Sequence, residues 1–222
     1  MAMFKIVNRS IDESGNEINY KEESDLYNLI YYVCRKGKAI EVQNIFPLGR
    51  FRMANQMLYA QHCSGKKLKT RALHFVLSFD TEGWEWEMRG RTFYASSAAI
   101  WGAAKKFDLK DYQCIMAFHN KPRNRHIHII VNPVNLRTNQ ILHYNMFQYK
   151  SFLKELALEL HMRYGLALAG TSYIDERGRL RFSDEYEIMY QDRMYPWDPH
   201  MSEIYGKRED CLNPFKPVRI KR

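Results

Sequence analysis

The chain has 222 residues, a formal net charge of +9 and a hydrophobic content of 45%. With 14% aromatic residues, this composition excludes a disordered chain and suffices for one domain with a sizeable core. We see no apolar run approaching the ~20 residues of a membrane helix, no secretory signal and no paired cysteine spacing, so we expect a cytoplasmic protein. The excess of positive charge favours an anionic partner.

Hydrophobic periodicity and turn residues predict a mixture of helices and strands. In chain order they are a strand at 3–7, a loop at 10–20, a helix at 25–35, a helix at 51–63, a strand at 72–80, a mostly helical stretch at 87–107, a hairpin at 112–134, a helix at 147–164 and a small hairpin at 173–182. Ser24 is the expected cap of the first helix, and Gly37 ends it. Because periodicity fades near residue 183, we expect one domain over 1–222 with 183–222 as a less regular extension.

The most specific pattern lies between Tyr112 and Asn135. Two apolar runs joined by a polar turn predict a pair of antiparallel strands. Side chains alternate along a strand, so His126 and His128 share a face, and His119 ends the preceding strand. Because cross-strand neighbours lie roughly 5 Å apart, three imidazoles can converge there. Three neutral imidazoles with an open position suit a catalytic divalent metal, and the alternative is a polar strand edge.

The turn of this hairpin is basic. Lys121, Arg123 and Arg125 supply three positive charges and the turn holds no acid. A metal site bordered by cations indicates a phosphate ligand. Lys66 and Lys67 lie in a second basic segment, which in most proteins is only a solvated loop.

Tyr32 lies in the last turn of the first predicted helix. The residues that follow it are basic, including Lys36 and Lys38. A phenol beside such a turn is well placed to meet a phosphate, although packing alone also explains a tyrosine at this position.

Three segments together resemble conjugative and mobilisation relaxases, in particular the MobP class of the HUH endonucleases. They are YVCRKGK at 32–38, LSFD at 77–80 and AFHNKPRNRHIHIIVNPVN at 117–135. The resemblance implies an α+β fold with a central antiparallel sheet flanked by helices. It also implies a site- and strand-specific endonuclease that nicks the origin of transfer through a 5′-phosphotyrosine and can rejoin the strand. By the same resemblance, Tyr32 is the nucleophile and His119, His126 and His128 are the metal ligands.

Two further positions follow from the resemblance. Asn132 matches a polar residue often found after the paired histidines, with a supporting role. Relatives often carry an acid and another histidine after the first ligand, where this chain has Lys121 and Asn124. Asp80 and Asp175 are the alternatives for orienting a ligand or taking the tyrosine proton, so the general base stays open. The expected cofactor is Mn²⁺ or Mg²⁺, and Zn²⁺ also suits imidazole ligands.

The implied partner is single-stranded DNA at the origin of transfer, together with accessory relaxosome proteins and a type IV coupling protein. A positive groove and stacking aromatic residues are needed to hold a single strand. The residues expected to contact DNA are Tyr31, Lys36, Lys38, Lys66, Lys67, Lys121, Arg123 and Arg125.

Three other functions compete with this interpretation. A rolling-circle replication initiator usually carries its tyrosine on a helix after the paired histidines, and Tyr149 is the candidate here. A non-catalytic origin-binding module would not need three histidines. An oxygenase of the cupin type also uses His-x-His, but this chain is too helical and lacks the acid at short spacing.

Overall fold

A computed structural model describes residues 2–7, 10–11, 17–18, 20–37, 39–79, 97–104, 109–121, 124–142 and 146–182. The strands are β1 (Ala2–Val7), β2 (Ser10–Ile11), β3 (Glu17–Ile18), β4 (Ala39–Gln43), β5 (Leu73–Phe79), β6 (Tyr112–Lys121), β7 (Asn124–Asn135), β8 (Ser172–Ile174) and β9 (Leu180–Phe182). The helices are α1 (Glu23–Lys36), α2 (Arg50–Ser64), α3 (97–104) and α4 (Met146–Tyr164). The predicted extension at 183–222 and most of the helical stretch predicted at 87–107 lie outside the described residues.

One five-stranded sheet organises these elements. Its strand order is β1-β5-β7-β6-β4, and every neighbouring pair is antiparallel. The predicted α+β class with a central antiparallel sheet is therefore confirmed. The predicted loop at 10–20 contains the short pair β2–β3, and the predicted hairpin at 173–182 is present as β8–β9.

Helices cover both faces of the sheet because the side chains of its inner strands are apolar on both sides. On one face, Ile127 and Ile129 of β7 join a core with α3 and α4. On the other face, Ile130 of β7 joins a core with α1 and α2. Alternation along β7 puts His126 and His128 on the α1–α2 face, and both side chains are fully buried there.

The strand β4 corrects the sequence-based assignment, which placed no element at 39–42. Its five residues pair with β6, from Ala39 opposite Phe118 to Gln43 opposite Cys114. The segment AIEVQ is short and carries a glutamate, so its pattern is weak until β6 supplies hydrogen-bonding partners. As a result, the chain turns directly from the end of α1 into the sheet beside the histidine hairpin.

Helix α1 begins earlier than predicted. Its N-cap is Glu22, and Ser24 lies inside the helix. The carboxylate of Asp25 accepts hydrogen bonds from the backbone N–H groups of Lys21 and Glu22, each at 3.0 Å. Asp25 is the third residue of the helix, so its carboxylate serves the N–H of the N-cap residue, as in a capping box. The predicted end at Gly37 agrees with the structure.

Helices α1 and α2 run antiparallel. Arg50 at the start of α2 lies 4.4 Å from the ring centroid of Tyr31, near the end of α1. At the opposite end, His62 of α2 contacts the Glu23 carboxylate at 2.7 Å. Tyr32 therefore lies near the beginning of α2. Among the described residues, no helix is long and apolar enough to cross a membrane.

Candidate metal centre and active site

Three histidines converge on the α1–α2 face of the hairpin. His119 of β6 lies directly opposite His126 of β7, and His128 lies opposite Ala117. One nitrogen from each imidazole can be chosen so that all three lie within 4.8 Å of one another. All three side chains are buried. The β6–β7 ladder therefore holds three imidazoles at a spacing that one metal ion can bridge.

The hydrogen bonds of the triad determine which nitrogens are available. His119 donates from Nε2–H to the backbone carbonyl of Val33 at 2.8 Å, which leaves its Nδ1 with a lone pair. The Nε2 atoms of His126 and His128 are buried and accept no hydrogen bond from the part of the chain that the structure describes, and both rings contact the neighbouring imidazoles. This donor set of neutral imidazole nitrogens suits Zn²⁺ or Mn²⁺. The residues present thus fit the metal site that the sequence predicts.

A fourth histidine supports the triad from the neighbouring strand. His74 of β5 lies with its Nε2 2.8 Å from Nδ1 of His128, and its Nδ1 lies 2.8 Å from the hydroxyl oxygen of Tyr20. Burial, together with repulsion from His126 and His119 when those rings are protonated, lowers the pKa of His74 to about 3. A neutral His74 can therefore accept one hydrogen bond and donate another.

His74 is not among the site residues that the sequence predicts. The available signal was its position in the 72–80 strand, on the face opposite the apolar residues. His74 contacts His128 only because β5 pairs with β7. In that pairing Val76 lies opposite His128, and His74 lies opposite Ile130.

Tyr32 of α1 lies against the triad. Its ring centroid is 6.0 Å from that of His119 and 5.8 Å from that of His128, in edge-on contact. Nζ of Lys36 lies 5.1 Å from the Tyr32 ring centroid. Residues from distant parts of the sequence therefore put a phenol, a cation and three imidazoles in one place.

Gly37 permits this close approach between α1 and β6. A Cβ at this position would lie 3.2 Å from the Ala117 Cβ and 3.2 Å from the Val33 carbonyl oxygen. The backbone conformation there is extended and open to any residue, so space is the reason for glycine. The same Val33 carbonyl accepts the hydrogen bond from His119.

Other predicted residues lie further from the triad. Asn132 shares its strand face, but its amide nitrogen donates to the Met57 carbonyl and to Gln113, at 3.1 and 2.7 Å. Its amide oxygen accepts from Gln61 at 3.2 Å and from the Val134 backbone N–H at 3.2 Å. These bonds join α2 to the sheet, whereas the ligand-orienting contacts come from His74 and the Val33 carbonyl.

The predicted DNA contacts fall into two regions. Tyr31 is exposed beside Tyr32 and Lys36, with Arg50 over its ring. Lys66 and Lys67 follow the far end of α2, where Arg71 lies 3.7 Å from Glu23 at the opposite end of α1 from Tyr32.

Arg125 alternates with His126, so its buried side chain leaves β7 on the opposite face from the triad. Lys38, Asp80 and Arg123 lie outside the described residues, as does the side chain of Lys121.

Two alternative residues are separated from the triad. Asp175 lies at the β8–β9 turn, where its carboxylate accepts hydrogen bonds from the side chains of Arg179 and Arg181 at 3.1 and 3.0 Å. Tyr149 is buried in the core between α4 and the other face of the sheet. A tyrosine there cannot meet a substrate held by the three histidines unless α4 is displaced.

The α+β fold thus carries, on one face of its antiparallel sheet, a trihistidine group that could hold a metal ion beside a tyrosine. The family described as "Relaxase: MobA/VirD2-like, nuclease domain" matches residues 32–166, more than half of the chain, and this chain belongs to that family. The match spans Tyr32 and all three histidines. The protein is therefore a relaxase nuclease domain, of the kind that nicks DNA in conjugation and mobilisation.

The chain is also similar to a solved structure described as "Molecular Basis of Vancomycin Resistance Transfer in Staphylococcus aureus". The similarity covers 78% of this chain and 98% of that chain, at 10% identity and a TM-score of 0.44. No curated protein matches this chain significantly.

Proposed function

We propose that this relaxase domain nicks one DNA strand at an origin of transfer, in a site- and strand-specific manner, and can rejoin it. Tyr32 is the nucleophile in this proposal, and His119, His126 and His128 hold the metal ion. The supporting observation is the edge-on contact of the Tyr32 ring with the His119 and His128 rings, at 6.0 and 5.8 Å between centroids.

The proposed reaction is a transesterification. The phenolic oxygen of Tyr32 forms a bond to the scissile phosphorus, and the bond from phosphorus to the 3′ oxygen breaks. The phenolic proton leaves, and the departing 3′ oxygen takes up a proton. The strand is then held as a 5′-phosphotyrosine. Because an aryl phosphate has a good leaving group, attack by the 3′ hydroxyl reverses the step and rejoins the strand.

The chain's own residues prepare this step. Lys36 lies over the Tyr32 ring, where its charge can stabilise a developing phenolate or a neighbouring phosphate. His119 ties β6 to the last turn of α1 through the Val33 carbonyl and so holds the triad close to the phenol. A divalent ion bound by the three imidazoles would neutralise charge on a phosphate oxygen. Mn²⁺ or Mg²⁺ is the proposed ion, and Zn²⁺ also fits the imidazole donors; Mg²⁺ prefers oxygen ligands and would be recruited together with the substrate phosphate.

The single strand is proposed to approach across the end of α1 and the start of α2. Tyr31 is 46% exposed there, and Arg35 and Arg50 lie 5.7 and 4.4 Å from its ring centroid. Stacked aromatic and guanidinium groups bind bases without sequence preference, and the cations attract the backbone. By resemblance, the DNA complex is proposed to form in the cytoplasm with accessory relaxosome proteins and a type IV coupling protein.

A cleavage assay tests this function. A tiled set of labelled single-stranded oligonucleotides from the DNA beside the coding sequence is incubated with the protein and Mn²⁺ or Mg²⁺. We expect cleavage at one site, with the downstream fragment covalently attached to protein. Tyr32→Phe should keep DNA binding and lose the adduct, and His126→Ala should lose both metal binding and cleavage.

The matched control is His62→Ala, because His62 is an exposed histidine on α2, remote from the triad. This variant should cleave as the unmodified protein does. An adduct that persists in Tyr32→Phe would refute the assignment of the nucleophile.

A further inference from the structure

We propose that His74 and Tyr20 are positioning residues that orient His128 for metal binding. They form a buried line of hydrogen bonds from the Tyr20 hydroxyl through His74 to His128. This inference rests on the proposed function, since it assigns a role toward the metal that the three histidines would hold.

The line is built into the core of the protein. Tyr20 is 1% exposed and His74 is 2% exposed, so neither exchanges its hydrogen bonds readily with water. Both contacts in the line measure 2.8 Å. The rings of His74 and His128 are also stacked, with centroids 5.1 Å apart and planes 26° from parallel. Two contacts therefore restrain the position and the rotation of the His128 ring.

Only one direction of these hydrogen bonds is compatible with a bound metal. A neutral imidazole carries one proton, on either Nδ1 or Nε2. If Nε2 of His128 is a ligand, its proton lies on Nδ1, and Nδ1–H donates to Nε2 of His74. The His74 proton then lies on its Nδ1 and is donated to the Tyr20 hydroxyl oxygen. In the reverse direction, His128 carries its proton on Nε2, which removes the lone pair that the metal needs.

The chemistry of this support differs from the common arrangement. A metal-binding histidine usually donates its second N–H to a carboxylate, a carbonyl or water. His119 follows that pattern with the Val33 carbonyl. His128 instead meets a neutral imidazole backed by a phenol. These hydrogen bonds add no negative charge beside the position where a phosphodiester would bind. His74 and Tyr20 thus orient a metal ligand, a role for which the sequence predicts a carboxylate.

The test measures metal affinity directly. Zn²⁺ and Mn²⁺ dissociation constants are determined separately for the purified full chain by titration against a chromophoric or fluorescent competitor. His74→Leu removes the acceptor at similar volume, whereas His74→Gln retains an oxygen acceptor. We expect His74→Leu to weaken binding about 10- to 100-fold, the usual effect of removing such a partner. His74→Gln should recover most of the loss, and Tyr20→Phe should weaken binding less than His74→Leu.

Val76→Ala is the matched control for loss of packing. Val76 is buried on the same strand face and lies opposite His128, but it makes no polar contact in this line. We expect it to lower thermal stability while leaving the dissociation constants within about threefold of the unmodified protein. Equal loss of affinity in Val76→Ala and His74→Leu would overturn the proposal, because it would show a packing effect only.

A spectroscopic readout examines the protonation pattern itself. Long-range ¹H–¹⁵N spectra of the Zn²⁺-loaded protein report which nitrogen of each histidine carries a proton. The proposal requires protons on Nδ1 of both His128 and His74. A proton on Nε2 of His128 in the loaded protein would overturn it.

The failure of this inference is distinguishable from the failure of the proposed function. If His128→Ala leaves metal affinity unchanged, the trihistidine site itself is wrong. If His128→Ala abolishes binding while His74→Leu binds as the unmodified protein does, only the positioning role is wrong.

Discussion

His119 donates a hydrogen bond from Nε2 to the backbone carbonyl of Val33, at 2.8 Å. Val33 follows Tyr32 directly and lies in the last turn of α1. This contact thus ties the end of α1 to β6 and restrains the distance between the triad and the phenol.

Substitution at Gly37 should disturb this contact. In Gly37→Ala, the new Cβ would lie 3.2 Å from both the Ala117 Cβ and the Val33 carbonyl oxygen, so α1 and β6 must separate slightly. We expect a loss of about 1 kcal/mol or more in the free energy of unfolding, as for other overpacked sites. Cleavage should fall as well, because Tyr32 moves with the helix.

The double variant Gly37→Ala with Ala117→Gly provides the control. It removes one of the two close contacts and should recover part of the stability and activity measured by denaturant unfolding and by the cleavage assay. Full activity in Gly37→Ala alone would contradict the proposed coupling.

Tyr31 should contribute to DNA affinity more than to chemistry. Tyr31→Ala removes an exposed ring that is flanked by two arginines, and we expect a loss of about 1–3 kcal/mol in single-strand binding by fluorescence anisotropy. The control is Tyr59→Ala, because Tyr59 is an even more exposed tyrosine and lies on α2. If both variants lose the same binding free energy, the surface around Tyr31 is not the DNA-binding surface.

Tyr149 separates relaxase chemistry from the rolling-circle alternative. Its ring is buried on the face of the sheet opposite the triad, so Tyr149→Phe should retain the covalent adduct. The expected cost is confined to stability, which thermal unfolding measures. Loss of the adduct in Tyr149→Phe, together with its persistence in Tyr32→Phe, would favour the initiator.

The reactivity of the cysteine thiols tests whether the cores on the two faces of the sheet are closely packed. Burial raises the pKa of Cys34 to about 11 and raises the pKa of Cys114, so both remain protonated at pH 8. Cys63 is exposed at the end of α2. Mass spectrometry after brief iodoacetamide treatment at pH 8 should show Cys63 modified before Cys34 and Cys114. Modification of all three at the same rate would contradict the burial of Cys34 and Cys114 in the two cores.

The histidine triad could be predicted from sequence because it depends on local geometry. Alternation along β7 puts His126 and His128 on one face, and a tight turn returns His119 to the same end. His74 could not be assigned because its contact with His128 requires the pairing of β5 with β7, which no local pattern encodes. The position of Lys66 and Lys67 likewise depends on the antiparallel packing of α1 and α2, which carries them away from Tyr32.

The most direct measurement is mass spectrometry of the protein–DNA adduct after protease and nuclease digestion. The account predicts one modified peptide, with the nucleotide phosphate on Tyr32 and no adduct when the metal is removed by a chelator. A phosphate on any other residue, or an adduct that forms equally well after chelation, would contradict it.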